Sequence, residues 1–299
     1  IGMTTKNLAK ADIHTNTAKA LAFGALVFAA MAVAPRPATA MDTIAREAIL
    51  LDAKTGAVLF NKDADNLMPP ASMSKLMTIY LIFERLKQGS LSLEDEFVVS
   101  ENAWRKGNWA SGGSTMFLEP GQRVRVEDLI QGIIVQSGND ACVVVAESLA
   151  GSEDAFAELM TEKGKEIGLT NSTFRNASGW PHPEHRMTAH DLAVLARRTI
   201  NDFPEYYHYY SERQFTYNNH TQHNRNELLG RVPGADGLKT GHTQNAGYGL
   251  TASAERNGRR LILVVNGLES KKARREEPQR LMEWGFREFK NYALFKAGE

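Results

Sequence analysis

The stretch ASMSKLMTIYLIFERLKQ, Ala71 to Gln88, constrains the fold more than any other part of the chain. Pro69-Pro70 forbids helix just before it and Gly89-Ser90 ends it, so the spacing predicts one helix between these stops. Leu76, Met77, Ile79, Tyr80, Leu81, Ile82, Phe83 and Leu86 leave that helix apolar on nearly every side. A helix without a polar face has to be surrounded, which calls for layers of other elements around it.

The flanking sequence supplies those layers. Ile49-Leu50-Leu51 and Val58-Leu59-Phe60 read as two strands about a turn at Asp52–Gly56, with Gly56 free to take positive φ. YGLTASAERNGRRLILVVNGL, from Tyr248, reads as two more strands about Asn257-Gly258, and PQRLMEWGFREF as a closing helix. RVEDLIQGIIVQSGNDACVVVAESLAG is helical on both sides of Ser137-Gly138-Asn139, and Thr188-x-x-Asp191 resembles a capping box opening a further helix. The expectation is a mixed α+β fold (α/β in the broad sense): an antiparallel sheet built by both chain ends, flanked by helices, with an inserted, mostly helical subdomain.

Gross composition excludes several functions. Lys plus Arg and Asp plus Glu balance at 35 each, so there is no nucleic-acid footprint. One cysteine, Cys142, allows neither an internal disulfide nor a multi-thiolate metal site, and its apolar surroundings read as those of a buried small hydrophobe. At the N-terminus Lys6, Lys10 and Lys19 precede the 15-residue apolar run Ala20–Ala34, short for a membrane span of about 20 residues. Ala38-Thr39-Ala40 then has a small-x-small cleavage pattern. Residues 1–40 are therefore expected to be a signal peptide, and residues 41–299 an exported, periplasmic or cell-envelope domain with 31 basic and 34 acidic residues.

Three short patterns carry chemistry. Ser72 and Lys75, three residues apart at a helix start, share one face; a serine hydroxyl becomes nucleophilic when a lysine of lowered pKa accepts its proton. Ser137-Gly138-Asn139 places a hydroxyl and a carboxamide about a glycine that can turn sharply, which suits proton relay and the holding of a peptide group. K-T-G occurs twice. Lys54-Thr55-Gly56 falls at the first hairpin tip and reads as a turn. Lys239-Thr240-Gly241 precedes a β-rich stretch; placed on a strand, Gly241 lets a substrate backbone approach and pair with it.

Taken in order, S-x-x-K, S-x-N and K-T-G resemble the serine penicillin-recognising enzymes. The flanks PPASMSKLMT, SGNDAC, NASGWP, DGLKTGHT and EWGF are similar to those of the low-molecular-mass D-alanyl-D-alanine carboxypeptidases, over about Ala48 to Phe289. The resemblance implies a β-lactamase/transpeptidase-like fold and hydrolysis of the terminal D-alanine from peptidoglycan stem peptides, with β-lactam antibiotics as covalent inhibitors. It implies that Ser72 is the nucleophile, Lys75 the general base and Ser137 a proton relay. Asn139 holds the acyl chain, and Lys239, Thr240 and Gly241 bind substrate. The backbone N–H groups of Ser72 and His242 form the oxyanion hole. Arg274 is the match for a carboxylate-binding arginine, with Arg275 adjacent. No cofactor and no metal is implied. The family often continues into a second β-rich domain and a membrane-docking amphipathic helix, so peripheral membrane association is compatible, with no anchor expected in this chain.

Other readings are weaker. His182 and His185, and His220 and His223, have H-x-x-H spacing but no third ligand at a recognisable distance, and read as surface or loop histidines. A class A β-lactamase deacylates with a glutamate in an E-x-x-L-N pattern that is missing between Asn139 and Lys239. A D,D-endopeptidase or transpeptidase shares the acyl-enzyme and differs in the acceptor. A catalytically silent wall-binding module is a further alternative, against which stand the intact motif residues.

Overall fold

Both ends of the domain contribute to one sheet. The computed structural model describes residues 41–107 and 109–292, and the described residues from Thr43 onward form one compact unit; the expected signal peptide, residues 1–40, lies outside the described residues. Strands β1 (Glu47–Asp52) and β2 (Val58–Lys62) form the first hairpin, and Gly56 in its turn has φ +76°. The apolar segment forms a 3-10 turn, Ala71–Ser74, that runs into α1 (Lys75–Lys87). A small ribbon, β3 (Glu96–Val98) with β4 (Arg123–Arg125), brackets α2 (Glu101–Gly107). Then follow α3 (Val126–Gln131), a π-helical stretch Gly132–Gln136, α4 (Asn139–Ala150), α5 (Glu153–Glu166) and α6 (Ala189–Asp202). A second ribbon, β5 (Gln214–Tyr217) with β6 (His220–His223), precedes β7 (Ala235–Thr243), β8 (Gly247–Arg256), β9 (Arg259–Leu268) and α7 (Lys271–Glu288).

The main sheet has the order β2-β1-β9-β8-β7 with antiparallel pairs throughout, so β1 from one end lies between β2 and β9 from the other. Strand period decides its two faces. Ile49, Leu51, Ile262 and Val264 join the large core that contains α1. Leu50 and Leu261 face α7 instead, where a Cβ on Gly285 would come within 2.5 Å of Leu50. Helices on both faces explain why the strands read as continuous apolar runs. Within the core α1 touches β7, the π-helical stretch, α5 and α6, which supplies the cover its composition demands. Phe83 packs against the rings of Phe203, Tyr206, Tyr209 and Tyr210, so its truncation to alanine is worth about 3–5 kcal/mol.

Some boundaries differ from the sequence reading. β-structure returns earlier than Tyr248: the β5–β6 ribbon starts at Gln214, and the main sheet resumes at Ala235 because the K-T-G stretch pairs with the strand that follows it. The last helix starts at Lys271, capped by the Ser270 hydroxyl accepting from Ala273 N at 3.0 Å, and continues through Pro278. Arg274 thus lies in its first turn. Thr188 caps α6 by accepting from Asp191 N at 2.9 Å, but the Asp191 carboxylate turns away to Asn171 N and Ser172 Oγ, so only half of the box forms.

Candidate active site

Ser72 sits in the 3-10 turn that opens α1, and its neighbour Ala71 holds a left-handed conformation with φ +50°. That conformation costs an alanine roughly 1 kcal/mol. It persists because Gly179 packs directly against Ala71, where any Cβ on Gly179 would collide with the Ala71 carbonyl. The turn leaves Ser72 half-buried at the floor of a cleft.

Lys75, one turn on, is fully buried. Its Nζ lies 2.8 Å from Ser72 Oγ, 2.8 Å from Asn139 Oδ1 and 2.6 Å from the Ser178 carbonyl. Burial lowers its pKa to about 8, and the nearby Arg225 guanidinium pushes the same way. A neutral amine has two N–H groups and one lone pair. The Asn139 oxygen and the Ser178 carbonyl can only accept, so they take the two N–H groups. The lone pair is left for the Ser72 hydroxyl, which is the arrangement a general base requires.

The S-x-N segment lies across the cleft. The π-helical stretch ends at Ser137, which has φ +61°, while Gly138 has φ −56°. The sharp turn expected at the glycine is made by the serine. Gly138 is needed for space, since a Cβ there would approach Asp140 Oδ1 to 2.8 Å and Met116 N to 3.3 Å. Asp140 is itself buried and accepts from Thr115 Oγ1 at 2.7 Å, Met116 N at 3.0 Å and Leu118 N at 3.2 Å, tying the loop that forms the far wall to the base of α4.

Strand β7 closes the other side and is an edge strand, so alternate N–H groups point away from β8. Lys239 is buried, with Nζ 3.0 Å from Ser137 Oγ. Burial drives its pKa well below the ordinary lysine value, with Lys75 and Arg225 adding repulsion. Thr240, Gly241 and His242 line the cleft. Gly241 has a further reason to be glycine: a Cβ there would meet the Pro70 carbonyl at 2.8 Å and Met73 Cγ at 3.0 Å, so the glycine admits the Ser72 turn.

Arg274 reaches the same cleft from α7, buried over the Tyr248 ring at 5.5 Å and 4.0 Å from Glu227. Arg275 points elsewhere, at Glu276. The cleft encloses about 340 Å³ and brings together Ser72, Ser137, Asn139, Thr240, His242 and Arg274.

The residue range 32–270 matches the family model described as D-alanyl-D-alanine carboxypeptidase. The chain belongs to that family. It is 44% identical over 254 residues to D-alanyl-D-alanine carboxypeptidase DacC of Escherichia coli K12, covering 84% of this chain and 64% of that protein; it thus spans a little under two thirds of that relative's length. Its fold resembles penicillin binding protein 6B from Escherichia coli, with a TM-score of 0.82 at 39% identity, covering 90% of this chain and 84% of that one. Penicillin-Binding Protein D2 from Listeria monocytogenes, solved in the ampicillin-bound form, gives a TM-score of 0.71 at 30% identity over 83% of this chain and 99% of that one. The carboxypeptidase family thus accounts for the mixed α/β fold and the transpeptidase-like arrangement of sheet and helices.

Several cleft residues escaped sequence reasoning. The Ser178 carbonyl works through backbone, which no side-chain pattern reveals, although Asn176, which turns the chain to present it, lies in the NASGWP flank. Arg225 lines the cleft and donates to Ser114 Oγ, with no motif around it. Among the histidines, His185 is buried rather than at the surface, and burial lowers its pKa to about 3. Among the described residues no group of three or more His, Cys, Asp or Glu side chains could hold a metal ion. Cys142 is fully buried and its thiol is pushed up to about 12, which makes it unreactive.

Proposed function

We propose that the chain is a serine D-alanyl-D-alanine carboxypeptidase that removes the terminal D-alanine from peptidoglycan stem peptides and is acylated by β-lactams. The observation that carries this reading is the Lys75 amine, buried, lowered to about 8 and 2.8 Å from Ser72 Oγ with its other contacts occupied by acceptors.

Ser72 Oγ attacks the carbonyl between the two D-alanines while Lys75 takes its proton. The developing oxyanion is held by the backbone N–H groups of Ser72 and His242, and the acyl chain pairs with the free edge of β7 and with Asn139. The substrate's terminal carboxylate sits beside Thr240 and Arg274. An anion there favours the charged form of Lys239, and a charged Lys239 keeps Lys75 neutral by repulsion. Ser137, 3.0 Å from Lys239 Nζ, relays the proton taken up by Lys75 to the departing amine, which returns Lys75 to its neutral form. Water then attacks the acyl-enzyme with Lys75 again as base, releasing the shortened peptide. Each step needs only these side chains and water.

Export to the cell envelope belongs to the same proposal, since the substrate is the wall and the β-lactam ligands reach it from outside. Among the described residues no helix is long and apolar enough to cross a membrane.

Mass spectrometry of pentapeptide muropeptides before and after incubation tests the reading. Loss of one alanine is expected. A cut cross-link would mean an endopeptidase, fast penicillin turnover a β-lactamase, and binding without release of D-alanine a wall-binding module.

A further inference from the structure

Two consecutive carbonyls of one short turn hold the helix that carries the base. The Ser178 carbonyl accepts from Lys75 Nζ at 2.6 Å, and the Ala177 carbonyl accepts from Thr78 Oγ1 at 2.6 Å, one turn further along α1. Lys75 and Thr78 are both fully buried. The Lys75 lone pair stays on the Ser72 hydroxyl only while its N–H groups keep their acceptors, so whatever fixes this turn also aims the base.

Part of the turn is fixed from within. Asn176 Oδ1 accepts from Ser178 N at 3.2 Å, Gly179 N at 2.8 Å and Trp180 N at 3.0 Å. Glu153, the first residue of α5, grips it from outside. Glu153 Oε1 accepts from Ala177 N at 3.2 Å and Oε2 from Lys106 Nζ at 2.8 Å, and the side chain is only 11% exposed. The Ala177 backbone is thus held on both sides, its N–H by Glu153 and its carbonyl by Thr78. Glu153 does not line the catalytic cleft.

We infer that Glu153 is a positioning residue for the general base: through Ala177 N it holds the Ser178 carbonyl against Lys75, and so keeps the lone pair on Ser72. The inference rests on the serine–lysine reading of the site. Glu153 also acts on Lys75 by its charge. Burial and the Arg225 guanidinium lower the Lys75 pKa, whereas the Glu153 carboxylate and that of Asp140 on α4 raise it. Lys239 on β7 repels it. The remaining titratable neighbours, the Cys142 thiol and the His185 ring, are pushed to about 12 and about 3 and stay neutral near pH 8. A carboxylate in the first turn of α5 favours that helix as well, but a contribution of that kind changes stability and leaves the rate per folded molecule alone.

Substitution separates the grip from the charge. Glu153→Gln keeps an oxygen for Ala177 N and removes the charge, while Glu153→Ala removes both. The test follows acylation by a fluorescent penicillin as a function of pH, with rates expressed per acylatable molecule. Glu153→Gln should hold the high-pH plateau within about twofold and move the rising limb to lower pH by roughly half a unit, because Lys75 loses a carboxylate that favours its charged form. Glu153→Ala should lower the plateau by about tenfold, as a misdirected base requires. Glu158→Gln makes the same charge change at an exposed position of α5 and should alter neither plateau nor limb. A Glu153→Ala plateau within twofold of wild type, a Glu153→Gln plateau as low as that of Glu153→Ala, or a limb that stays in place in Glu153→Gln or moves equally in Glu158→Gln overturns the inference. Absence of acylation of the wild-type protein at every pH would instead sink the serine–lysine reading, and the positioning role with it.

Discussion

The two K-T-G tripeptides share three letters and nothing else. Lys54 and Thr55 are exposed at a hairpin tip, Thr55 Oγ1 donates to Asp52 at 3.0 Å, and Gly56 has φ +76°. Lys239 and Thr240 are buried on an edge strand, and Gly241 is glycine because the Ser72 turn packs on it. In the first copy the lysine is held by solvent and the glycine by a turn. In the second the lysine lies among other cations and the glycine under a neighbouring backbone. A motif acquires chemistry from what tertiary structure places against it; here that is Ser137 at 3.0 Å and Lys75, whose charge repels that of Lys239.

Substitutions can break or sharpen this contrast. The largest expected effect is Lys239→Ala, which should slow penicillin acylation by about 10³-fold through loss of carboxylate binding and of the proton path via Ser137. Lys54→Ala, in the same assay, should stay within about twofold; comparable losses in both would erase the distinction. Ser137→Ala should cost about 10²-fold in acylation with the melting temperature little changed.

Asp52→Ala probes the first copy's own role. Asp52 is buried, which alone would raise its pKa, but donors from Thr55, Asn291 and Arg259 bring it down to about 2. A depressed carboxyl stabilises the fold above its unfolded pKa, and that contribution disappears as pH falls from about 4 to 2. Asp52→Ala should therefore cost about 3 kcal/mol in denaturant unfolding at neutral pH while sparing acylation per folded molecule. A loss of acylation without a loss of stability would contradict the assignment.

The smallest effect concerns pH. Acylation should rise as pH climbs through about 8, because Lys75 must be neutral to accept the Ser72 proton. Arg225→Gln removes a cation that lowers Lys75, so the rising limb should move to higher pH. A limb that stays in place would show that Arg225 does not set the base.

What the sequence revealed, and what it hid, follows from range. The α1 helix, both hairpins and the Thr188 cap depend on neighbours a few residues apart, and they were legible. The pairing of Ser72 with Lys75 is of the same kind. The left-handed Ser137 was misassigned to Gly138 because local propensity favours glycine there, whereas packing against Met116 and Asp140 reserves that glycine for space. The Ser178 carbonyl meets Lys75 across 103 residues of chain and Arg225 meets Ser114 across 111, which no local pattern encodes. Resemblance to a family supplied the order of the motifs, and only the fold supplied the distances between them.

The central claim is that Ser72 is the nucleophile with Lys75 as its base. Intact-mass and peptide-mapping spectrometry after incubation with a penicillin tests it most directly. The account predicts one covalent adduct, on the peptide that contains Ser72, absent in Ser72→Ala. An adduct that persists in Ser72→Ala, or maps to another serine in the wild-type protein, would contradict it.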